Sequence, residues 1–247
     1  MRVGVFDSGV GGLSVVKSLL EHNLFSHIVY YGDTARVPYG IKDPSTIRRY
    51  AIEAVEFFKN FELDLIIVAC NTVSAYALDA MRGATSVKVV GVVEAGVLAV
   101  QNAMPDRAKR ILILGTPATV SSKAYEVALG KLGYNNLKSI ATALFVPLVE
   151  EGIYDGVIVE AVFEHYFGNL ERPDAIILGC THFPLLAGAM RDYFGDEVLL
   201  IHSGDAIVEQ LKKECDLVGQ QEGSTIEYFA SENPQKLQAV AKEWLKA

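Results

Sequence analysis

Asp64 to Thr72 reads DLIIVACNT, and Asp174 to His182 reads DAIILGCTH. In both, an acidic residue leads into a short aliphatic run, a small residue, a cysteine and two polar residues. An apolar run of this length with polar flanks is the pattern of a buried parallel strand, with the cysteine just past its carboxyl end. Open α/β sheets place their ligands at such ends. The cysteines are 110 residues apart, and the offset recurs in order along the chain. RVGVFDS from Arg2 matches RILILGT from Arg110, Val37-Pro38 matches Val146-Pro147, and VVGVVEAG from Val89 matches VLLIHSGD from Val198, at offsets of 108 or 109. A long unit repeated twice predicts two similar lobes rather than a solenoid. Lobes facing each other across a pseudo-two-fold axis would bring Cys70 and Cys180 to the cleft between them.

Strand and helix patterns alternate outward from these segments. The expected class is therefore α/β, with two pseudo-symmetric lobes, each a mostly parallel sheet flanked by helices. The first lobe is expected to hold strands RVGVF, HIVYY, the Cys70 segment and VKVVGVV, the last running to Val93. Asp43-Pro44 marks a helix start that buries Ile47, Ala51, Ala54, Val55 and Phe58. In the second lobe we expect a helix from Ala95 to Met104, the strand RILIL, a helix capped by Thr116-Pro117, and the strand LKSIA. FVPLVEEG from Phe145 reads as a loop. Asp155 opens a helix with Ile158, Val162 and Tyr166 on one face. From about residue 210 the repeat has no counterpart. That tail predicts a strand, TIEYF, and a helix capped by Asn233-Pro234 with Leu237, Val240, Ala241, Trp244 and Leu245 on one face.

The 247 residues are enough for a sizeable core, and 51% hydrophobic with 21% charged residues is ordinary for a globular chain. A net charge of −8 argues against a nucleic-acid groove or an anionic membrane surface. No apolar run spans a bilayer, and the N-terminus enters a strand pattern without a signal peptide, so a cytoplasmic protein is expected. Three cysteines do not make a disulfide framework, which leaves reduced thiols as the default.

A lone buried cysteine is ordinarily a small hydrophobe, and Cys215, outside the repeat, reads that way. Matched positions at equivalent strand ends give Cys70 and Cys180 a different standing. The short Cys/His spacings of structural zinc sites are missing. Two facing thiols suit a reaction symmetric in its two faces: one thiolate removes a proton from a carbon and the other thiol returns one to the opposite face. A free thiol titrates near about 8.5, so neither protonation state is prohibitively rare at neutral pH and the pair can run both ways.

Such thiols need helpers. Asp7 ends the first strand, His182 lies two residues past Cys180, and Glu150 or its neighbour Glu151 follows Pro147. The turn DSGVGG lacks the third glycine of a dinucleotide fingerprint, where Ser14 stands instead, and lacks the Lys-Ser/Thr of a nucleotide loop. Ser8 and the amides of this turn suit a carboxylate. Thr72, Thr116, Thr119 and Thr181 fit the same task or simple helix capping, and both roles can coexist at a helix N-terminus.

FDSGVGGLSV, YYGDTARVPYG, VACNT and LGCTHFPLL, in this order over the whole chain, resemble the bacterial glutamate racemases of the cofactor-independent aspartate/glutamate racemase superfamily. The resemblance implies two α/β lobes with the active site between them. It implies interconversion of L- and D-glutamate for peptidoglycan, with neither pyridoxal phosphate nor metal. By motif, Cys70 would act on D-glutamate with Asp7 assisting, and Cys180 on L-glutamate with His182 and Glu150 assisting. Substrate contacts would fall on Asp7, Ser8, Tyr39, Gly40, Asn71, Thr72, Thr181 and His182, with Thr116 and Thr119 holding a carboxylate. The tail would rejoin the first lobe, giving 1–92 plus 210–247 with Cys70 and 93–209 with Cys180. Aspartate racemases tend to carry an acid where His182 stands, which favours glutamate. Val73 replaces a common alanine without touching the chemistry. The family's habit implies a homodimer. Some members carry an N-terminal extension tied to activation by a cell-wall nucleotide precursor, and no such activation is expected here.

Three rivals predict otherwise. An aspartate racemase would share the chemistry and differ in substrate, a cysteine hydrolase or acyl transferase would need one thiol only, and a two-lobed binding protein would need neither.

Overall fold

The computed structural model describes residues 1–214 and 223–245, so Cys215 lies outside the described residues. The first half runs β1 (Arg2–Asp7), α1 (Leu13–Glu21), β2 (His27–Gly32), α2 (Pro44–Phe58), β3 (Leu65–Val68), α3 (Asn71–Ala84) and β4 (Lys88–Gly91). The helix α4 (Val92–Ala103) leads to β5 (Ile111–Gly115), α5 (Pro117–Ser122), α6 (Ala124–Lys131), β6 (Leu137–Ala141) and α7 (Phe145–Glu150). Next come α8 (Val157–Phe167), β7 (Ala175–Gly179), α9 (Ala187–Phe194) and β8 (Leu199–Ile201). The chain then adds α10 (Ser203–Glu214), β9 (Thr225–Ala230) and α11 (Pro234–Trp244).

The strands form two parallel sheets, ordered β4-β3-β1-β2-β9 and β8-β7-β5-β6. Side by side, β1 matches β5, β3 matches β7 and β4 matches β8, the pairs given by the sequence offset. The extra strand β9 pairs with β2 in the first sheet. Central strands β3, β5 and β7 are buried throughout, which is why they read as unbroken apolar runs. Caps fall where the side chains allow them: Asp43 accepts from the Thr46 amide, Thr116 from Thr119 and Asn233 from Lys236.

Three segments depart from the sequence reading. The strand expected to reach Val93 ends at Gly91, and Val92 already opens α4. An apolar run such as VVGVV does not by itself separate a buried strand from a buried helix. FVPLVEEG is helical over Phe145–Glu150 rather than a loop; Pro147 stands in the first turn, where a missing N–H costs no intrahelical bond. In α8 the cap is Gly156 at φ 81°, not Asp155, and the buried face is Val159, Phe163 and Phe167. Ile158 is 55% exposed, with Val162 and Tyr166 half-buried at the edge. Every residue of VIVEAVF but the glutamate is apolar, so the periodicity left the facing ambiguous by one position.

The apolar interior divides into three clusters. One lies behind α2 and α3 on the first sheet and one behind α8 and α9 on the second. The largest runs between the sheets, joining Val5 and Ile67 of the first to Ile113 and Ile177 of the second through Val97, Ile207 and Leu211 of α4 and α10. The lobes thus share one continuous core, with α4 and α10 packed on each other at its centre. Burying each such side chain contributes about 1.5–3 kcal/mol, so the junction holds like a domain interior. The open side of the cleft lies at the carboxyl ends of the strands. Among the described residues no helix is long and apolar enough to cross a membrane.

Candidate active site

Both cysteines line one small cavity between the lobes, of about 40 Å³. Ser8, Asn71, Thr72 and Thr116 share it with Thr181 and His182. The space admits a few water molecules and falls far below the ~300 Å³ of an ordinary ligand pocket, so a ligand would need more room than these side chains leave it. A larger cleft of about 500 Å³ adjoins it, sharing Gly9, Val37 and Glu150, and is walled by α7 and α11.

Asp7 ends β1, fully buried. The Gly9 amide donates to its Oδ2 at 2.9 Å and Thr181 Oγ1, from the other lobe, to its Oδ1 at 3.3 Å. The carboxylate met by this glycine-rich turn is therefore the chain's own. Burial pushes the Asp7 carboxyl above the usual carboxylate range, against the pull of His182 and the Gly9 and Gly12 amides. Glycine at 11 and 12 is a matter of space: a Cβ on Gly11 would sit 2.3 Å from Thr181 Oγ1 and 2.6 Å from the His182 ring, and one on Gly12 would sit 2.6 Å from Asp7 Cβ. The other lobe presses directly on this turn.

Cys70 follows β3 as the residue before α3, and its Sγ faces Ser8 Oγ at 3.4 Å. Burial, then the Asp7 charge, pushes its thiol up to about 12, with Ser8 and the Val73 amide acting the other way. Cys180 follows β7 and has a different neighbour. His182 Nδ1 lies 3.8 Å from Cys180 Sγ, and His182 Nε2 forms an ion pair with Glu150 Oε1 at 3.3 Å, without the alignment of a hydrogen bond. Burial alone would depress the imidazole; Cys180, Glu150 and Asp7 outweigh it and raise His182 to about 10. The contact holds Glu150 below the usual carboxylate range, with Lys236 assisting. Of the two candidate acids after Pro147, Glu150 is the one that meets His182. Trp244, on the last turn of α11, sets its ring edgewise to His182, centroids 6.1 Å apart.

The threonines gather at two helix starts. Thr72, Thr116 and Thr119 place their Oγ1 atoms in a triangle 3.0 Å on each side, across the two lobes. A carboxylate arriving there would meet the Thr72 and Thr116 hydroxyls, which line the cavity, with Thr119 bonded behind them and the N-terminus of α3 behind Thr72. Gly40 packs flat on Thr116, where a Cβ would come within 2.5 Å of Thr116 Cβ. Tyr39 lines the cavity while its hydroxyl donates to the buried Asp33, which also accepts from Arg36 and Ser231. Asn71 is buried, bonded to Tyr125 and Ser203.

The sequence reading gave Asp33, Tyr125 and Ser203 no role and placed Trp244 only on a face of the tail helix. Asp33 stands inside the motif YYGDTARVPYG, directly after β2, and an acid at a strand end was a usable signal. Nothing in the local pattern marks Tyr125.

Two matched parallel lobes each bring a thiol to one shared cavity, as an enzyme acting between its lobes would. The model of the Asp/Glu/Hydantoin racemase family matches residues 8–211. A glutamate racemase of a Nitratiruptor species is 57% identical over 246 residues, covering 100% of this chain and 97% of that one. The crystal structure of glutamate racemase from Campylobacter jejuni superposes with a TM-score of 0.98 at 51% identity, covering 99% and 98% of the two chains. The Francisella tularensis glutamate racemase, in complex with D-glutamate, superposes at 0.86 with 34% identity, covering 100% and 94%. The chain belongs to the Asp/Glu/Hydantoin racemase family, and within it to the glutamate racemases, which are isomerases.

Proposed function

We infer that this protein interconverts L- and D-glutamate by proton transfer at the α-carbon, with Cys70 and Cys180 as the two bases, and so supplies D-glutamate for peptidoglycan. The observation that carries the reading is the shared cavity, with one thiol from each lobe and a separate proton handler behind each. Cys180 takes the α-proton of L-glutamate and Cys70 delivers one to the opposite face; the reverse direction exchanges the roles. Asp7, raised by burial, receives the Cys70 proton when D-glutamate is the substrate. His182, held protonated by the Cys180 sulfur and by Glu150, stands ready to return a proton to Cys180. The substrate ammonium fits beside Asp7 and Ser8, while Asn71, Thr72, Thr116, Thr119 and Thr181 supply donors for its carboxylates. Tyr39 and Gly40 close over them.

Chain segments 1–92 with 210–247 make up one lobe and 93–209 the other, and the adjoining cleft that shares Gly9, Val37 and Glu150 with the cavity is the route for entry. A reducing cytoplasm suits the chemistry, since both thiols must stay reduced to carry protons, and the protein works there as a homodimer without pyridoxal phosphate or metal. Circular dichroism of purified protein with L-glutamate, D-glutamate, L-aspartate and D-aspartate, with no cofactor added, tests the reading. Loss of signal with both glutamates and neither aspartate is expected. Racemised aspartate would move the assignment to the sister activity, and no change with any of the four would reject it.

A further inference from the structure

Beneath the cavity a chain of hydrogen bonds crosses from one lobe to the other. Tyr125 OH, on α6, donates to Asn71 Oδ1 at 2.7 Å. Asn71 Nδ2, on α3, donates to Ser203 Oγ at 3.2 Å, and Ser203, at the start of α10, donates to the Leu178 carbonyl of β7 at 3.4 Å. A main-chain carbonyl accepts and never donates. The Ser203 proton is therefore directed at Leu178, its lone pairs face Asn71, and the Asn71 oxygen is left for Tyr125. The direction of every bond follows from that one backbone group two residues before Cys180.

Tyr125 is held tightly enough to enforce this. Its side chain is fully buried, and a Cβ on Gly96 would come within 3.1 Å of its ring. The ring also borders Gly179, the residue before Cys180. An asparagine amide has two N–H donors; one is engaged by Ser203, and the other is left for the cavity that Asn71 lines.

We propose that Tyr125 and Ser203 are positioning residues for the reaction: they lock the Asn71 amide with an N–H toward the substrate cavity and so set substrate affinity. The proposal rests on the reading of Asn71 as a substrate contact. Neither Tyr125 nor Ser203 is among the residues lining the cavity, so their loss acts on binding common to ground and transition states rather than on the proton transfers.

Steady-state kinetics of Tyr125→Phe, Ser203→Ala, Asn71→Ala and the Tyr125→Phe/Asn71→Ala pair test it in both directions. Tyr125→Phe keeps the ring packing and removes only the hydroxyl. It is expected to raise KM about tenfold for both enantiomers, the scale of a buried amide oxygen losing its donor, with kcat within about threefold. Ser203→Ala shifts KM in the same sense. On the Asn71→Ala background the tyrosine change adds less than about twofold, because nothing remains to position. An unchanged KM in Tyr125→Phe, a fall confined to kcat, or full additivity in the pair would overturn the proposal while leaving Asn71 as a contact. An unchanged KM in Asn71→Ala would instead reject Asn71 as a contact, and the positioning role with it.

Discussion

The two thiols stand at matching strand ends in unlike surroundings. Cys70 has an anion for a neighbour, Asp7, and burial with that charge raises its thiol to about 12. Cys180 faces His182, which Glu150 and the thiol raise to about 10. The matched strands put both cysteines at equivalent strand ends, and the neighbouring side chains give one half a histidine and the other a carboxylate. On the proposed mechanism Cys70 keeps its proton at rest and delivers it when L-glutamate is the substrate, and it needs Asp7 as an acceptor when D-glutamate is. The lesson is that a symmetric reaction does not require symmetric helpers, only that each thiol has somewhere to send its proton.

Enantiomers have equal free energy in water, so kcat/KM must fall equally in both directions whichever half is altered. The halves are compared by the size of that fall and by pH. The largest effect is expected from Cys70→Ala and Cys180→Ala, each abolishing racemisation measured by polarimetry. Cys→Ser at either site should still cost about 10²–10⁴-fold, because a hydroxyl is poorly matched to the operating pH. If one half proved dispensable, the enzyme would be a one-base catalyst and the comparison would break.

Gly11→Ala comes next, since its Cβ would press into Thr181 and His182 and drive the lobes apart at that point. Overpacking of this kind should lower stability by about 1–3 kcal/mol in urea unfolding, with kcat falling as well. Unchanged kinetics would mean that His182 need not stand where it does.

Glu150→Gln sharpens the Cys180 side. His182 is raised in the folded state, so its proton stabilises the fold fully below about pH 6.5 and is lost as pH climbs through about 10. Removing the Glu150 charge should bring the alkaline limb of kcat/KM toward neutral pH. Thermal unfolding should likewise lose stability between pH 7 and 10 in the native protein and lose less in His182→Asn. An unmoved alkaline limb in Glu150→Gln would detach the carboxylate from the relay. The smallest effect is expected from Ser8→Ala, a few-fold in kcat/KM, since Ser8 meets Cys70 at 3.4 Å and offers the substrate one hydroxyl among several polar groups.

The duplication was legible because parallel strands buried on both faces leave long apolar runs, and because Cys70 and Cys180 must each follow one. Caps such as Asp43 and Thr116 were legible because their side chains act locally. What escaped depends on the far side of the fold. Val92 and Val93 are apolar in either a strand or a helix, and only packing on α10 decides for the helix. Ile158 and Val159 are equivalent in pattern, and only the second sheet chooses between them. Tyr125 and Ser203 meet Asn71 from 54 and 132 residues away, a distance no local pattern reports.

The central claim is tested most directly by running the native protein on L-glutamate in heavy water and sampling both enantiomers early in the reaction. Two bases on opposite faces predict that newly formed D-glutamate carries solvent deuterium while the remaining L-glutamate keeps its original proton. A product that retains the substrate's proton, or label entering both enantiomers at equal rates, would contradict it.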